Sequence, residues 1–175
     1  PLYIWLHGAV QSVFESVTQR PWYTPPDYIH ILRMVALVAG VVTTAFIVAI
    51  GWQLGGAIAA FFAGLLWAFA PIVVDNNTLA IADPFGYLAC AAAVAFALRA
   101  WKKTSLVWLF ACLLAGIVSL YVKYWTLYPF FLWLIVALRI LWQQRRRALP
   151  GLGLHIIVGA AAAAALLRYL TTAGL

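Results

Sequence analysis

The feature that most constrains this chain is a series of long apolar segments, separated by short turns rich in glycine, proline or polar residues. About 20 mostly apolar residues are needed to cross the hydrocarbon core of a bilayer. Six segments reach or approach that length: 31–52, 57–74, 85–101, 106–120, 129–142 and 154–170. Lipid offers no hydrogen-bond partners to the backbone, so each segment must pair its own polar groups. We therefore predict an all-α, polytopic transmembrane bundle of about six spans.

Composition supports a membrane protein and argues against nucleic acid as a partner. Hydrophobic residues make up 67% of the chain and charged residues 9%, whereas soluble domains carry about 25% charged residues. The net charge is +7, but the basic residues form short runs at helix ends and no single basic face. Cys90 and Cys112 lie inside apolar segments at no metal or redox spacing, so we interpret them as packing residues.

Residues 1–175 are predicted to form one transmembrane domain, with residues 1–30 as a juxtamembrane helix and outer loop. Residues 10–17 alternate apolar and polar side chains at helical spacing, which is typical of an amphipathic helix at the interface or against other helices. Residues 31–175 supply the transmembrane helices. The chain opens on proline and closes directly after a hydrophobic segment, and we expect a piece of a longer protein.

The distribution of charge predicts the orientation. Alternate loops hold seven basic residues and no acid: Arg99, Lys102, Lys103, Arg139, Arg145, Arg146 and Arg147. The opposite side holds the remaining basic residues and all four acids: Arg20, Arg33, Lys123, Arg168, Glu15, Asp27, Asp75 and Asp83. Because Lys and Arg accumulate in cytoplasmic loops, we predict the first side to be cytoplasmic. Asp83, Lys123 and Arg33 then lie at the extracytoplasmic ends of their helices.

Asp83 is the first candidate functional residue. It lies between two long apolar segments and precedes Pro84. A carboxylate beside lipid is costly, so an acid in this setting is a functional candidate. One interpretation is structural: proline suits the first turn of a helix, and Asp83 can cap that turn. The other is an active-site carboxylate that binds a metal ion or positions a substrate hydroxyl, and the two interpretations are compatible.

Two cations on the predicted outer side are further candidates, each with a structural alternative. Lys123 has aromatic neighbours at the end of the fourth span; it either snorkels to the interface or holds a lipid phosphate as a point charge. Arg33 is close enough in sequence to Asp27 and His30 for an ion pair, which we favour. His155, like His7, has no partner at metal-ligand spacing and is interpreted as packing or hydrogen-bonding, and residues 75–77 as a turn.

The order of several short motifs resembles the type C polyprenyl-phosphate-dependent membrane glycosyltransferases, in particular the group of protein O-mannosyltransferases and lipid A aminoarabinose transferases. The resemblance covers residues 1–138. The motifs are Pro-Leu-Tyr at 1–3, Arg33 at the start of a long span, Ala-Pro at 70–71, Asp83-Pro-Phe, and Tyr-Val-Lys123-Tyr. Where the family often has Thr-Lys-Gly, this chain has Val-Lys-Tyr.

The resemblance implies a multi-pass enzyme, in the plasma membrane if bacterial, that moves a sugar from a polyprenyl-phosphate donor to a protein, lipid or glycan acceptor. The active site would lie on the extracytoplasmic side, in contact with membrane lipid. The main acidic base would precede Pro1. Asp83 would then have a supporting catalytic role and could also bind a divalent metal ion. Lys123, Tyr124 and Arg33 would bind the donor phosphate.

Two other classes of function are open from the residues alone. A non-catalytic membrane subunit would use faces of small residues, such as the glycines at 51, 55 and 56, for helix packing. A transporter fragment would place ionisable groups near the bilayer midplane and often contain repeated halves. The charges here cluster at one interface and no repeat is visible, which disfavours transport.

Overall fold

The computed structural model describes residues 8, 9, 11–13, 15, 16, 25–71, 73, 83–122 and 127–172. Its main helices are α1 (Pro25–Ala68), α2 (Asp83–Lys103), α3 (Leu106–Val122), α4 (Tyr128–Gln144) and α5 (Leu149–Thr172), with a 3₁₀ turn at Arg145–Ala148. No strand occurs in these described ranges, and the prediction of an all-α helical membrane bundle is confirmed.

Helix α1 consists of two arms that meet at a glycine pair. Gly55 (φ −146°, ψ 19°) and Gly56 (φ 72°, ψ −157°) have non-helical backbone angles. The positive φ of Gly56 is one that residues with a Cβ rarely adopt. We call residues 25–54 arm α1a and residues 57–68 arm α1b. The predicted turn between the first two apolar spans is thus located at these glycines.

The two arms run antiparallel and touch through their backbones. A Cβ added to Gly51 would lie 2.7 Å from the carbonyl oxygen of Ala59, and one added to Gly64 would lie 2.6 Å from a methyl carbon of Val48. Residues before the glycine pair therefore meet residues after it in reverse order. The missing side chains permit this close approach, as small residues do at many helix contacts in membranes.

Helix α2 is the central element, since it packs against α1, α3 and α4. Its buried positions are almost all small: Gly86, Ala89, Cys90, Ala91, Ala92, Ala93, Ala95, Ala97 and Ala100, beside Pro84. Helices associate closely in lipid when small residues line the contact. The alanine-rich sequence of α2 therefore explains why three helices can surround it.

The main buried cluster joins the second half of α2 to α3, α4 and the start of α5. Its members are Ala93, Ala97, Ala100, Leu109, Cys112, Val136, Ala137, Ile140, Ala148 and Leu152. Cys112 is fully buried in this cluster, and both cysteines are free and buried. The interpretation of Cys112 as a packing residue is confirmed. Arg139 lies over the Trp101 ring at 3.9 Å and Arg99 over Trp108 at 4.8 Å.

The outer surface of the bundle is apolar, as lipid requires. Large hydrophobic side chains are exposed along α1, α4 and α5, among them Leu54, Ile58, Trp142 and Ile157. Among the described residues, three helical stretches are long and apolar enough to cross a membrane: His30–Ala68, Asp83–Lys103 and Leu149–Tyr169. The first of these contains both arms of α1. Helices α3 and α4 have 17 residues each, about 26 Å at roughly 1.5 Å per residue.

The ends of the helices sort into two groups. Lys102 Nζ donates a hydrogen bond to the carbonyl of Gln53, beside the glycine turn, and Gln144 Nε2 donates to the carbonyl of Thr104 at 2.7 Å. These bonds place the glycine turn, the α2–α3 connection and the end of α4 together. We call this the basic end, because it holds Lys102, Lys103, Arg145 and Arg147. The opposite end, where α2 and α4 begin, is the Asp83 end.

The described residues of the N-terminal segment are helical, as the alternation of residues 10–17 predicts. Gln11 Nε2 donates to Glu15 Oε1 at 3.0 Å, and Ser12 Oγ donates to the carbonyl of Gly8 at 2.9 Å. Both bonds join residues four apart, the spacing of one helical turn. Val13 is exposed, whereas the polar residues Gln11 and Glu15 are partly buried. The polar side chains of this helix are therefore not all on its exposed face.

Candidate functional site

A cavity of about 490 Å³ extends along α2 for three turns, from Asp83 to Val94. Arms α1a and α1b and the start of α4 form its other walls. Most of its lining is aliphatic, and its polar or aromatic members are Trp67, Asp83, Tyr87, Cys90 and Tyr128. Asp83 is the only charged side chain among the described residues that line it. The sequence candidate therefore lies at a cavity inside the bundle.

Asp83 is the first residue of α2, and its side chain is half-buried. Pro84 behind it is fully buried, and proline fits the first turn of a helix because the missing N–H needs no partner there. The positive end of the helix dipole favours a carboxylate at this position. The local sequence thus places Asp83 at the start of α2. This position is compatible with both the capping and the active-site interpretation.

One polar contact ties α2 to α3 at the wall of the cavity. The Cys90 thiol lies 3.0 Å from the Ser119 hydroxyl, which is fully buried. Ser119 lies on α3, so the contact crosses between the two helices. Tyr128, the first residue of α4, also lines the cavity.

Trp67 and Tyr87 form the aromatic wall of the cavity. Their ring centroids are 5.8 Å apart and the planes are nearly perpendicular, at 88°. This edge-to-face arrangement is one that aromatic pairs prefer. The Trp67 indole nitrogen is buried, and it has no hydrogen-bond partner among the described residues.

Of the predicted site residues other than Asp83, only Arg33 is among the described residues. Arg33 is exposed on α1a and does not line the cavity. Lys123 and Tyr124 lie outside the described residues, as do His7 and residues 75–77. For Asp27 the structure describes the backbone only. The roles assigned to these residues stay predictions.

The described residues do not form a metal site made of protein ligands alone. No group of three or more His, Cys, Asp or Glu side chains within the described ranges could hold a metal ion. Asp83 would be a single carboxylate ligand, and Mg²⁺ bound through one or two carboxylates takes its further ligands from water and substrate phosphate. The assignment of Asp83 as a metal ligand stays a prediction.

Trp67, Tyr87, Ser119 and Tyr128 were not predicted as site residues, and Cys90 was predicted only to pack. One signal was present in α2, because Tyr87 and Cys90 follow Asp83 by four and seven residues and so share its helix face. The remaining contacts join residues of different helices, and no local spacing in the sequence indicates them.

A second, apolar groove of about 560 Å³ lies between α3, α4 and α5. His155 is buried at its wall, where Trp133 Nε1 donates a hydrogen bond to His155 Nδ1 at 3.3 Å. The Phe110 ring packs against the imidazole with centroids 5.1 Å apart. The interpretation of His155 as a packing and hydrogen-bonding residue is confirmed.

The fold and the cavity define an integral membrane protein of the all-α class, with a carboxylate in the lining of a cavity between its helices. Residues 27–168 match the family described as dolichyl-phosphate-mannose-protein mannosyltransferase. The match spans more than half of the chain, and the chain belongs to this family of mannosyltransferase-like membrane glycosyltransferases. Comparison with curated proteins and with solved structures gives no match.

Family membership confirms the coarser part of the resemblance drawn from the motifs. The matched residues include every helix from α2 to α4 and most of α1 and α5. They also include Asp83 and the cavity it lines.

Proposed function

We propose that the protein takes a sugar from a polyprenyl-phosphate donor and transfers it to an acceptor at the extracytoplasmic face, and that the Asp83 cavity is part of the site. The observation that carries this proposal is the placement of Asp83: in a chain of a mannosyltransferase family, it is the one charged group among the described residues that line a cavity within the bundle. We also propose that, within the family, the chain belongs to the group of protein O-mannosyltransferases and lipid A aminoarabinose transferases.

The transfer breaks the bond between the sugar's anomeric carbon and the phosphate oxygen, and forms a bond from that carbon to an acceptor oxygen. The acceptor hydroxyl loses its proton to a base, and the lipid phosphate leaves with negative charge. Asp83, held at the start of α2, accepts a hydrogen bond from a sugar or acceptor hydroxyl and so fixes its orientation. Positioning of this kind supplies much of the rate enhancement in group transfer.

The leaving phosphate needs a fixed positive charge in a poorly hydrated site. Lys123, with Tyr124 and Arg33, is proposed for this role. We base the role of Arg33 on its level in the membrane. It precedes the glycine turn by about 22 residues of helix, roughly 33 Å at the usual rise, and so lies at the Asp83 end. A divalent ion held by Asp83 and the donor phosphate would add Lewis-acid stabilisation.

The proposed side of the membrane rests on the basic end. Lys102, Lys103, Arg145 and Arg147 are brought together there, opposite Asp83. Because cytoplasmic loops are enriched in Lys and Arg, the basic end is proposed to face the cytoplasm. The donor sugar would then meet the cavity from the extracytoplasmic leaflet, with its polyprenyl chain in the surrounding lipid.

The test uses the full chain in sealed proteoliposomes with a polyprenyl-phosphate donor that carries labelled mannose. Three acceptor pools are supplied separately: a Ser/Thr-rich peptide, a glycolipid and an oligosaccharide. The proposal predicts release of free polyprenyl phosphate together with labelled product for one pool. It also predicts no product when a nucleotide sugar replaces the lipid donor. Transfer from the nucleotide sugar alone, or no transfer to any pool, would contradict the proposal and favour a non-catalytic subunit.

A further inference from the structure

An apolar groove of about 180 Å³ lies between α2 and α4. One face of each helix lines it: Val94, Ala97, Leu98 and Trp101 on α2, and Leu132, Ile135 and Val136 on α4. Ala97 and Val136 are buried and form its floor, whereas Ile135 is 55% exposed. The groove is therefore open to the lipid around the bundle. It follows α2 from Val94 to Trp101, about 10 Å at roughly 1.5 Å per residue.

Arg139 lies where this groove reaches the basic end. Its guanidinium carbon is 3.9 Å from the centre of the Trp101 ring, which ends the α2 side of the lining. The side chain is half-buried, and its Nε is buried with no partner among the described residues. The two terminal nitrogens form no hydrogen bond in the described part of the chain and are not buried. They are therefore available to a ligand beside the groove.

The helices that meet at Arg139 do not neutralise its charge. The only acid in α2 and α4 is Asp83, at the far end of α2, and no acidic residue follows it in the chain. The contact with the Trp101 ring offsets part of the cost of a cation beside lipid. Enrichment of Lys and Arg in cytoplasmic loops does not explain this residue, because it lies within α4, five residues before the last one. An anion from the membrane would complete the compensation.

The size and depth of the site indicate a lipid. The groove is smaller than the usual small-molecule site of about 300–1,000 Å³, and its length suits a stretch of one hydrocarbon chain. Trp142, three residues after Arg139, is 86% exposed on α4. Because exposed tryptophans favour the level of the headgroups, Arg139 lies near the depth of the lipid phosphates.

The surrounding charge indicates an anionic headgroup. The planar fork of a guanidinium matches the oxygens of a phosphate. A zwitterionic lipid also carries a cation, and no acid of α2 or α4 lies at this end to hold it. The other cations of the basic end would repel such a group, and they attract negative charge.

We propose that the groove between α2 and α4 binds one anionic phospholipid from the leaflet at the basic end, with its phosphate on the Arg139 guanidinium and one acyl chain along the groove. This lipid site lies at the opposite end of α2 from Asp83 and does not depend on the proposed function.

The experiment compares Arg139→Gln with Arg99→Gln in the full chain in detergent micelles. Arg99 is the matched control, because it also lies over a tryptophan, Trp108 at 4.8 Å, but that ring does not line the groove. Dioleoyl phosphatidylglycerol and dioleoyl phosphatidylcholine are titrated separately, and bound lipid is counted by native mass spectrometry. The unmodified chain should bind one phosphatidylglycerol more tightly than phosphatidylcholine. Arg139→Gln should weaken phosphatidylglycerol binding by about 10-fold or more, and Arg99→Gln far less.

Ile135→Trp tests the acyl chain separately, because a bulkier side chain would fill the groove and leave Arg139 in place. Leu138→Trp is its control, since Leu138 is similarly exposed on α4, at 57%, but does not line the groove. Ile135→Trp should weaken phosphatidylglycerol binding and Leu138→Trp should not. Both positions face lipid, so this pair gives the answer even if Arg139→Gln does not fold.

Equal losses in Arg139→Gln and Arg99→Gln would overturn the proposal, because they would show only a general attraction to the basic end. Equal affinity of the unmodified chain for the two lipids would also overturn it, as would equal affinity of Ile135→Trp and Leu138→Trp for phosphatidylglycerol. Competition by glycerol phosphate as effective as that by the lipid would show a phosphate site without a role for the groove, and this too would refute the proposal.

Discussion

The close contact between the arms of α1 leads us to predict that Gly51→Ala lowers the stability of the protein. The added Cβ would lie 2.7 Å from the carbonyl oxygen of Ala59 and 2.8 Å from the Cα of Ala60. Ordinary van der Waals contact begins at about 3.4 Å, and contacts below 3.0 Å require something to move. Both neighbouring atoms belong to the backbone, so no side-chain rotation relieves the clash. The arms must separate.

Overpacking of this kind costs about 1–3 kcal/mol, against a gain of about 0.5–1 kcal/mol when alanine replaces glycine within a helix. We expect Gly51→Ala to lower the free energy of unfolding by about 1 kcal/mol after both effects, and by about 2.5 kcal/mol at most. The separation would also carry α1b, and with it Trp67, away from α2. Sugar binding in the cavity should therefore weaken along with stability.

Gly153→Ala is the matched control, since its added Cβ has no atom within 4 Å and its backbone is helical. Unfolding of both variants is followed in bicelles by circular dichroism against denaturant. Gly153→Ala should be neutral or slightly more stable than the unmodified protein. If Gly51→Ala proves as stable as Gly153→Ala, the arms of α1 do not pack as described.

Two further substitutions test the turn and the polar link. Gly56→Ala should lower the free energy of unfolding by about 1–3 kcal/mol, because its backbone angles are nearly exclusive to glycine. Denaturant unfolding in bicelles measures this, and an unchanged stability would contradict the turn between arms α1a and α1b at this residue. Ser119→Ala should cost about 0.6 kcal/mol, the average for hydrogen bonds between membrane helices, because it removes a hydrogen-bond partner of Cys90. The exposed Thr171→Ala is its control, and equal stability of the two variants would show that the buried link contributes nothing.

The helices and their main break could be predicted because their causes are local in sequence. Apolar length identifies each span, and the Gly55-Gly56 pair identifies the reversal. Asp83 could be placed at a helix start because Pro84 follows it. In each case the residues that cause the structure are neighbours along the chain.

The cavity could not be predicted in the same way, because its walls come from distant segments. Trp67 is one of nine tryptophans, and nothing near it in sequence distinguishes it from those that face lipid. The bond between Cys90 and Ser119 joins residues 29 positions apart. Which helix faces meet depends on the packing of small residues along α2, and hydropathy carries little information about that pairing.

The central claim is that the Asp83 cavity takes part in sugar transfer, and Asp83→Asn tests it most directly. The amide keeps the size of the side chain and removes its charge, so packing at the start of α2 should be preserved. The matched control is Glu15→Gln, an equivalent change at an acid in the N-terminal helix, where Gln11 is its partner. Initial rates of mannose transfer from the polyprenyl-phosphate donor are compared at equal amounts of folded protein.

A misplacement of a reacting group by about 1 Å can cost about 10²-fold in rate. We expect Asp83→Asn to lose about that factor and Glu15→Gln to keep nearly the full rate. Transfer by Asp83→Asn at the rate of the unmodified protein would contradict the account.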